Sequence, residues 1–371
     1  MSHNVGEYIF GQIVSGESKF YLQRPADRQL LELCRSGTFS YILAPRQVGK
    51  SSLMLKTARL LVNEGIKSVI INLNQLGTQL DADTWYLGLL DIIEDQLNLD
   101  LNISEWWKAN SSFNVFERLV LFFQKLLLTE MGERVVIFVD EIDGTLPIPF
   151  AGYFFDLIYY LHINRPAPLP INHLSFVLLG VATPAELVHH SLLEPFKSGS
   201  PVELTYFTHE ECLPLAQGLN FSCDHAFQIL EWTLKWTGGH PYLTQRLLYT
   251  ISQQQNLFWS ETEIDQLVKT TFFDDNGEWD QNLKYVRDFL TIRKPGDLQL
   301  LEVYRDIIQQ PNFGHDSKDS EIVNQLKLSG IIRQRQQNLF VSNLIYQNVF
   351  SVSWIARELK FIEAQNQDKS Y

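Results

Sequence analysis

The chain has 371 residues, of which 45% are hydrophobic and 12% aromatic, and its 30 basic and 43 acidic residues give a formal net charge of −13. This composition supplies cores for two or three globular units, excludes disordered or fibrous structure, and would repel a nucleic-acid backbone except at local contacts. Three cysteines without metal-ligand spacing, and the lack of an apolar run of signal-peptide or membrane-spanning length, argue against a disulfide framework and predict a soluble cytoplasmic protein without a membrane partner.

Residues 38–206 have the rhythm of an α/β unit, in which short β-rich blocks alternate with longer helical stretches. The predicted strands, several of them almost wholly apolar, are residues 39–43, 68–73, 134–139, 174–179 and 201–205. The clearest predicted helices, with apolar residues at three- and four-residue spacing, are residues 51–64, 84–97, 113–130 and 154–163. Because apolar strands of this kind are covered on both faces, we expect a mostly parallel sheet.

Residues 207–292 are predicted to form a helical domain, because the β signal stops there. Thr208 and Glu211 have the spacing of a capping box that opens a helix, and Gly238-Gly239 closes the next one.

Residues 293–371 follow the turn signal Lys294-Pro295-Gly296 and have a winged-helix pattern. Two predicted helices are followed by two short strands; they are residues 298–309, 320–328, 331–335 and 339–342. A last helix is rich in aromatic residues, with Tyr346, Phe350 and Trp354.

The clearest chemical motif is Ala44-Pro45-Arg46-Gln47-Val48-Gly49-Lys50-Ser51-Ser52, which resembles the Walker A phosphate loop except that Ala44 stands at the first glycine. The backbone amides of Gln47–Ser52, at a helix N-terminus, would bind a polyphosphate. The ligand would be ATP (or ADP); Lys50 would reach the β- and γ-phosphates of ATP, and the Ser51 hydroxyl would ligate Mg²⁺. The alternative is a glycine and lysine that merely cap a surface helix.

A second motif stands at the end of the predicted strand 134–139, where Asp140 and Glu141 follow a run of apolar residues. A buried strand that delivers a carboxylate at its carboxyl end is the Walker B arrangement. Asp140 would bind Mg²⁺ through water, and Glu141 would orient or polarise the attacking water. An ordinary strand that ends at an acidic turn is the alternative, but the two motifs together favour a nucleotide site.

Thr183 follows the next predicted strand, residues 174–179, and is the candidate sensor of the γ-phosphate if that strand neighbours both motif strands. The other interpretation is that Thr183 caps a helix whose first residue is Pro184, and it does not exclude the first.

These motifs resemble the cyanobacterial AAA-like domain family, which is placed near the STAND and AAA+ ATPases. The resemblance extends over nearly the whole chain and is carried by residues 21–27, 46–54, 139–143, 178–184 and 236–245. It implies a P-loop α/β ATPase core over residues 38–206, a helical lid over 207–292 and a winged-helix domain over 293–371.

The resemblance also implies nucleotide contacts outside the two motifs. Tyr21 and Arg24, in a lead-in segment of residues 1–37, match positions that lie over the adenine and ribose in related ATPases. Gly239-His240-Pro241 resembles the GxP motif, whose proline packs on the base and couples the lid to nucleotide state. A surface aromatic and a helix-breaking turn are the alternatives. Ala44 leaves hydrolysis open more than binding, because the cradling amides lie later in the loop.

A nucleotide-dependent molecular switch with slow, Mg²⁺-dependent ATP hydrolysis is the first functional hypothesis. Such a switch would act through a protein partner or by self-association. Arg46, Arg165 and Lys197 are candidates for an arginine finger, and the sequence does not choose among them.

A DNA-associated AAA+ ATPase that binds DNA through its winged helix is the alternative, and it is not favoured. Residues 291–371 hold 10 basic and 9 acidic residues, and the predicted recognition helix and wing offer Lys327, Arg333 and Arg335. A third hypothesis is a nucleotide-binding scaffold without turnover, in which Trp106-Trp107 forms a partner surface, although paired tryptophans are more often core.

Overall fold

A computed structural model of the chain describes residues 8–125, 134–163, 174–188, 194–273, 279–292, 298–310 and 320–368. It divides into two compact units. The sheet unit comprises Pro25–Ala44 and Lys50–Leu204. The helical unit comprises Met1–Arg24, Pro45–Gly49 and Thr205–Tyr371. Of the predicted phosphate loop, Pro45–Gly49 therefore group with the helical unit, whereas Ala44 and the residues from Lys50 onward group with the sheet unit.

The sheet unit is built on five parallel strands in the order β2-β3-β4-β1-β5, so the predicted parallel sheet is confirmed. The strands are β1 (Ser40–Leu43), β2 (Lys67–Asn72), β3 (Val135–Asp140), β4 (Leu174–Gly180) and β5 (Ser200–Pro201). Strand β4 pairs with both β1 and β3. Every residue of β3 is buried, as its apolar sequence requires for a strand covered on both faces.

The fifth strand is shorter than the predicted residues 201–205. Pro201 has no N–H to offer the ladder, and the amide of Val202 makes the last bond, to the Tyr41 carbonyl at 2.9 Å. Residues 202–205 therefore lie outside the regular strand, although Val202 and Leu204 are buried.

The helices of the sheet unit cover the sheet with a core rich in aromatic and aliphatic side chains. They are α1 (Pro25–Arg35), α2 (Lys50–Asn63), α3 (Ala82–Leu97), α4 (Ile103–Ala109), α5 (Val115–Lys125), α6 (Gly152–Ile163), α7 (Pro184–Leu187) and α8 (Glu194–Ser198). The last part of the predicted helix 113–130 lies outside the described residues. Trp107 is buried and Trp106 is half-buried against the same core, so this pair packs internally.

The helical unit contains a second hydrophobic core that takes in the N-terminal residues Tyr8, Phe20 and Leu22. Its helices are α9 (His209–Ala216), α10 (Cys223–Thr237), α11 (Pro241–Gln253), α12 (Glu261–Phe272), α13 (Gln281–Thr291), α14 (Gln299–Gln309), α15 (Ser320–Ser329), α16 (Leu344–Val349) and α17 (Val352–Asp368). Among the described residues, no helix is both long and apolar enough to cross a bilayer.

Helix ends and turns in the helical unit follow the local signals. Thr208 caps α9, with the predicted reciprocal bonds to Glu211, and Gly238 ends α10 in the left-handed conformation at φ 57°. An antiparallel hairpin of β6 (Ile332–Arg335) and β7 (Asn338–Val341) follows α15.

Candidate functional site

The chain between β1 and α2 forms a tight loop in which backbone handedness alternates. Gln47 has φ 60° and Gly49 has φ 98°, whereas neither Arg46 nor Val48 has a positive φ. Such alternation is typical of a backbone nest, in which successive N–H groups turn toward an anion. Helix α2 begins directly afterwards at Lys50, with no acidic residue in its first turn, so its dipole adds to the attraction for an anion.

Lys50, Ser51 and Asp140 come together in the sheet unit. The Lys50 Nζ donates to the Ala44 carbonyl at 2.9 Å, and the Ser51 hydroxyl donates to Asp140 Oδ2 at 2.7 Å. Lys50 is 8% exposed and Asp140 is 4% exposed, so both charged groups are held in a largely dry environment. Ser52, the next residue of the first helical turn, is also buried.

Glu141, directly after β3, has the left-handed backbone conformation, with φ 57° and ψ 44°. Its own amide donates to Asp140 Oδ1 at 2.9 Å, which holds this turn in place. A non-glycine residue rarely takes this conformation, and such outliers concentrate at functional sites. Glu141 is half-buried, and Asp140, the residue before it, is buried.

Asp143 joins the ends of the two central strands, a role that the sequence motifs did not reveal. Its Oδ1 accepts the amide of Val181 at 2.8 Å, just beyond β4. A Cβ on Gly180 would lie 2.8 Å from the same oxygen and 2.5 Å from Ile142 Cγ2, so the glycine permits this close approach. The acidic residue two positions after the pair of predicted site carboxylates was the available sequence signal.

Thr183 is buried beyond the end of β4, and β4 does neighbour both motif strands, as the sensor hypothesis requires. Its hydroxyl accepts the amide of Glu186 at 3.2 Å, and the Glu186 carboxylate accepts the amide of Thr183 at 2.9 Å. Thr183 therefore caps α7, with Pro184 at the first helical position.

Arg24 contacts the phosphate loop within the helical unit. Its Nη1 donates to the carbonyls of Val48 at 2.8 Å and Thr205 at 2.9 Å, and its guanidinium lies 5.1 Å from the centre of the Phe207 ring. A Cβ on Gly49 would come within 2.8 Å of Arg24 Nη2. These contacts of Arg24 are thus with the loop backbone and its surroundings. Tyr21, three residues earlier, is half-buried.

Gln47 contacts a residue that no sequence motif selects. Asn282, near the start of α13 and 1% exposed, donates from Nδ2 to Gln47 Oε1 at 2.9 Å. The Tyr346 hydroxyl donates to Asn282 Oδ1 at 2.7 Å. The two partners are separated from Gln47 by more than two hundred residues, so no spacing rule links them to the loop.

Pro241 is buried at the first position of α11, directly after His240. The His240 Nδ1 accepts the amide of Leu243 at 3.5 Å, and the imidazole lies between the rings of Tyr206 and Tyr346, with centroids 4.8 and 6.1 Å away. Burial, with the nearby positive charge of Arg333, lowers the pKa of His240 to about 3. The imidazole is therefore neutral at physiological pH.

The three arginine-finger candidates have different surroundings. The Arg46 guanidinium lies 4.9 Å from the centre of the Tyr285 ring, within the helical unit. Lys197 is exposed in α8 of the sheet unit. Arg165 lies outside the described residues.

Comparisons with known proteins show the family and the fold of the chain. The profile of the AAA-like domain family matches residues 10–352. A protein of Synechocystis sp., the uncharacterized WD repeat-containing protein slr0143, is 32% identical in a match that covers 95% of this chain and 30% of that protein. The chain thus spans less than a third of the length of this curated relative.

Two solved structures show the same fold at low identity. The Walker-type ATPase PABY2304 of Pyrococcus abyssi is 14% identical, with a TM-score of 0.55, over 92% of this chain and 99% of its own. The Aeropyrum pernix ORC2 protein, in ADPNP–ADP complexes, is 12% identical, with a TM-score of 0.53, over 98% of each chain. The chain therefore has an α/β P-loop NTPase-like fold.

Proposed function

The chain belongs to the AAA-like domain family, and from this premise we propose that it is an ATP-binding P-loop NTPase of the AAA+/STAND type that acts as a nucleotide-dependent switch with slow hydrolysis. The observation that carries the proposal is the 2.7 Å bond between Ser51 and Asp140, beside the buried Lys50. It brings the hydroxyl of one motif and the carboxylate of the other to one point at the end of the sheet.

ATP or ADP would lie with its phosphates on the loop amides of residues 47–52. The alternating backbone of the loop and the start of α2 supply donors, and Lys50 supplies the positive charge that polyphosphate binding needs. Gly49 fits this role, because its φ of 98° is a conformation that residues with a Cβ disfavour, and a Cβ there would come within 2.8 Å of the Arg24 guanidinium. Tyr21, Arg24 and Pro241 remain proposed contacts of the nucleoside.

The donor set at Ser51 and Asp140 fits Mg²⁺. The Ser51 hydroxyl oxygen is a hard ligand of the kind Mg²⁺ prefers, and the Asp140 carboxylate would hold the ion through one of the several waters that Mg²⁺ keeps when it binds substrate phosphates. When bound, Mg²⁺ neutralises charge that develops on the phosphates during transfer. Ser51 and Asp140 would hold the ion.

Glu141 would orient the attacking water, and Thr183 would lie beside the γ-phosphate. The Asp140 carboxylate accepts bonds from the Ser51 hydroxyl and from the Glu141 amide, whereas the Glu141 carboxylate belongs to the next residue, in a left-handed turn, so the two carboxylates can have separate roles. Because Ala44 replaces the first glycine of the loop, we expect turnover to be slow.

The switch needs parts that respond to the nucleotide. We interpret residues 1–37 as a lead-in segment, residues 38–206 as the ATPase core and residues 207–292 as a helical lid. Residues 293–371, which include α14, α15 and the β6–β7 hairpin, would form a winged-helix domain. The buried turn Gly239-His240-Pro241 would couple the lid to nucleotide state. A protein partner or a second copy of the chain would bind one of the two nucleotide-dependent conformations.

The test is to measure binding of ATP with Mg²⁺, and its hydrolysis, for the wild type, K50A and E141Q. We expect K50A to lose binding, and E141Q to retain binding while turnover falls by roughly two orders of magnitude or more. K56A is the matched control, because Lys56 lies on the same helix but bonds to Asp27 at 3.1 Å. Unchanged turnover in both site variants would rule out the proposed site.

A further inference from the structure

The phosphate loop is hydrogen-bonded through a buried chain of side chains to α16, near the C-terminal end of the helical unit. The Tyr346 hydroxyl donates to Asn282, and Asn282 donates to Gln47, at 2.7 and 2.9 Å. Tyr346 is fully buried, and Asn282 is 1% exposed. Each polar atom of the Asn282 carboxamide is therefore used once, and its orientation is fixed by a donor on one side and an acceptor on the other.

The backbone of Asn282 is fixed as well. Asp280 caps α13, with its Oδ1 accepting the amide of Asn282 at 2.9 Å and its Oδ2 accepting the Tyr242 hydroxyl at 2.8 Å. Asn282 thus presents its amide group to Gln47 from a helix end that is tied to the neighbouring helix α11. A side chain held in this way can position its partner.

The two residues before Gln47 also lie against the later part of the helical unit. The Arg46 guanidinium lies over the Tyr285 ring, one turn along α13 from Asn282. A Cβ on Gly330, at the end of α15, would lie 3.2 Å from Pro45 Cβ. Consecutive residues of the loop therefore contact α13 and the turn that leads into the hairpin.

Gln47 is also the loop residue that needs support. Its φ of 60° is unfavourable for a residue with a Cβ, and this conformation is part of the alternation that aims the loop amides at a phosphate. A hydrogen bond from a fixed partner to its side chain favours this conformation over others. The same bond would be weakened if the loop changed conformation with nucleotide state.

We propose that Asn282 is a positioning residue for the phosphate loop, and that the Gln47–Asn282–Tyr346 chain couples nucleotide binding to the packing of α16. This inference rests on the proposed function and concerns how that function is regulated. Coupling between two equilibria is reciprocal. If the packing of α16 raises the affinity for nucleotide by some factor, bound nucleotide must favour that packing by the same factor. A partner that displaced α16 would therefore weaken nucleotide binding.

The experiment measures equilibrium binding of fluorescent mant-ATP and mant-ADP with Mg²⁺ in Q47M, Y346F and the double variant. Each single substitution removes one hydrogen-bonding group at nearly constant volume, so we expect the dissociation constant to rise roughly two- to tenfold. In the Q47M background, Y346F should have little further effect, since the chain is already broken. Y304F is the matched control, because Tyr304 is equally buried and its hydroxyl has no hydrogen-bond partner in the part of the chain that the structure describes.

Hydrogen exchange of the amides of residues 343–350 is the second readout. Added nucleotide should slow exchange there in the wild type and Y304F, but not in Q47M or Q47G. Q47G serves if Q47M fails to fold, because glycine accepts φ 60° without strain.

Equal effects of Y346F in both backgrounds, or nucleotide-induced protection that survives in Q47M and Q47G, would overturn the coupling while leaving nucleotide binding intact. Lack of mant-nucleotide binding by the folded wild type would instead overturn the proposed function, and the coupling with it.

Discussion

At the scale of single residues, the site uses backbone conformations that side chains disfavour. Among the described residues, the non-glycine positions with positive φ are Gln47, Asn98, Glu141 and Gln336. Asn98 ends a helix and Gln336 lies in a hairpin turn, where this conformation is ordinary. Gln47 and Glu141 instead belong to the two predicted nucleotide motifs, and each makes a hydrogen bond to a nearby group. The unfavourable conformations thus lie where the proposed site would need amides and a carboxylate in fixed orientations.

His240 makes stability depend on pH at the residue scale. Its pKa is about 3 in the folded protein, because of burial and the charge of Arg333, and about 6.5 when unfolded. Between these values the unfolded chain binds a proton that the folded chain does not. Stability contributed by the neutral imidazole is therefore fully present above about pH 6.5 and is lost as the pH falls below it. From about pH 8 to about pH 5 the loss amounts to about 2 kcal/mol.

H240N should remove this pH dependence, because asparagine keeps a helix-capping oxygen but does not titrate. We expect the free energy of unfolding, measured with urea at several pH values, to fall less steeply toward pH 5 in H240N than in the wild type. The lost packing lowers stability by the same amount at each pH and does not alter this slope. Parallel profiles for wild type and H240N would contradict the assignment.

At the scale of elements, the turn from α10 to α11 depends on close backbone approach. Gly239 has φ 78°, its carbonyl accepts the amide of Phe207 at 3.0 Å, and a Cβ on it would lie 2.1 Å from the Phe207 carbonyl oxygen. That oxygen belongs to the backbone and cannot rotate away. The turn therefore brings the segment after β5 against the first residues of α11.

G239A should destabilise the protein by more than the strain of a left-handed alanine. Gly65 provides the matched control, because it has the same φ of 78° and a Cβ added there would meet nothing within 4 Å among the described residues. We expect G65A to cost about 1 kcal/mol and G239A about 3 kcal/mol or more, since the latter adds a backbone clash. Urea midpoints compare the two. Similar losses would show that the chain shifts to accommodate the Cβ.

Helices and strands could be predicted where the sequence signal is local, whereas contacts between residues distant in the sequence could not. The buried strand β3 and the capping of α9 by Thr208 follow from apolar runs and short spacings. Ser51 and Asp140 could be paired because a phosphate loop and an acidic strand end imply one another. Asn282 could not be found, since its role depends on a contact across 235 positions of sequence.

The two compact units also differ from a division read along the sequence. Pro45–Gly49 group with the helical unit, although they continue directly from β1. A change of composition marks where helices replace strands, but contacts made by loop side chains decide which unit a loop joins. The interpretation of residues 207–371 as separate lid and winged-helix domains remains a prediction, because both share one hydrophobic core.

At the scale of the whole molecule, charge argues against strong DNA binding. The net charge of −13 disfavours approach to phosphates, and residues 291–371 hold 10 basic and 9 acidic residues. Contacts within the protein further reduce the number of basic side chains that could bind DNA phosphates. Arg333 Nη2 donates to the Ser342 carbonyl at 2.7 Å, with the guanidinium 4.6 Å from the centre of the Tyr206 ring, and Lys327 donates to Gln334 at 2.6 Å. Of the three basic groups predicted for this surface, Arg335 is the one that is both exposed and without such a bond among the described residues.

We therefore expect a labelled DNA duplex to show no specific binding at physiological salt, with and without ATP and Mg²⁺. Each phosphate neutralised adds about 0.9 to the slope of log affinity against log salt, so a surface with one or two available cations should give a slope below about 2. Fluorescence anisotropy over a salt series measures it, and R335A should abolish any residual slope. A slope near 6, with micromolar affinity at physiological salt, would mean that a basic surface assembles on this molecule. The DNA-associated alternative would then replace the partner-directed switch.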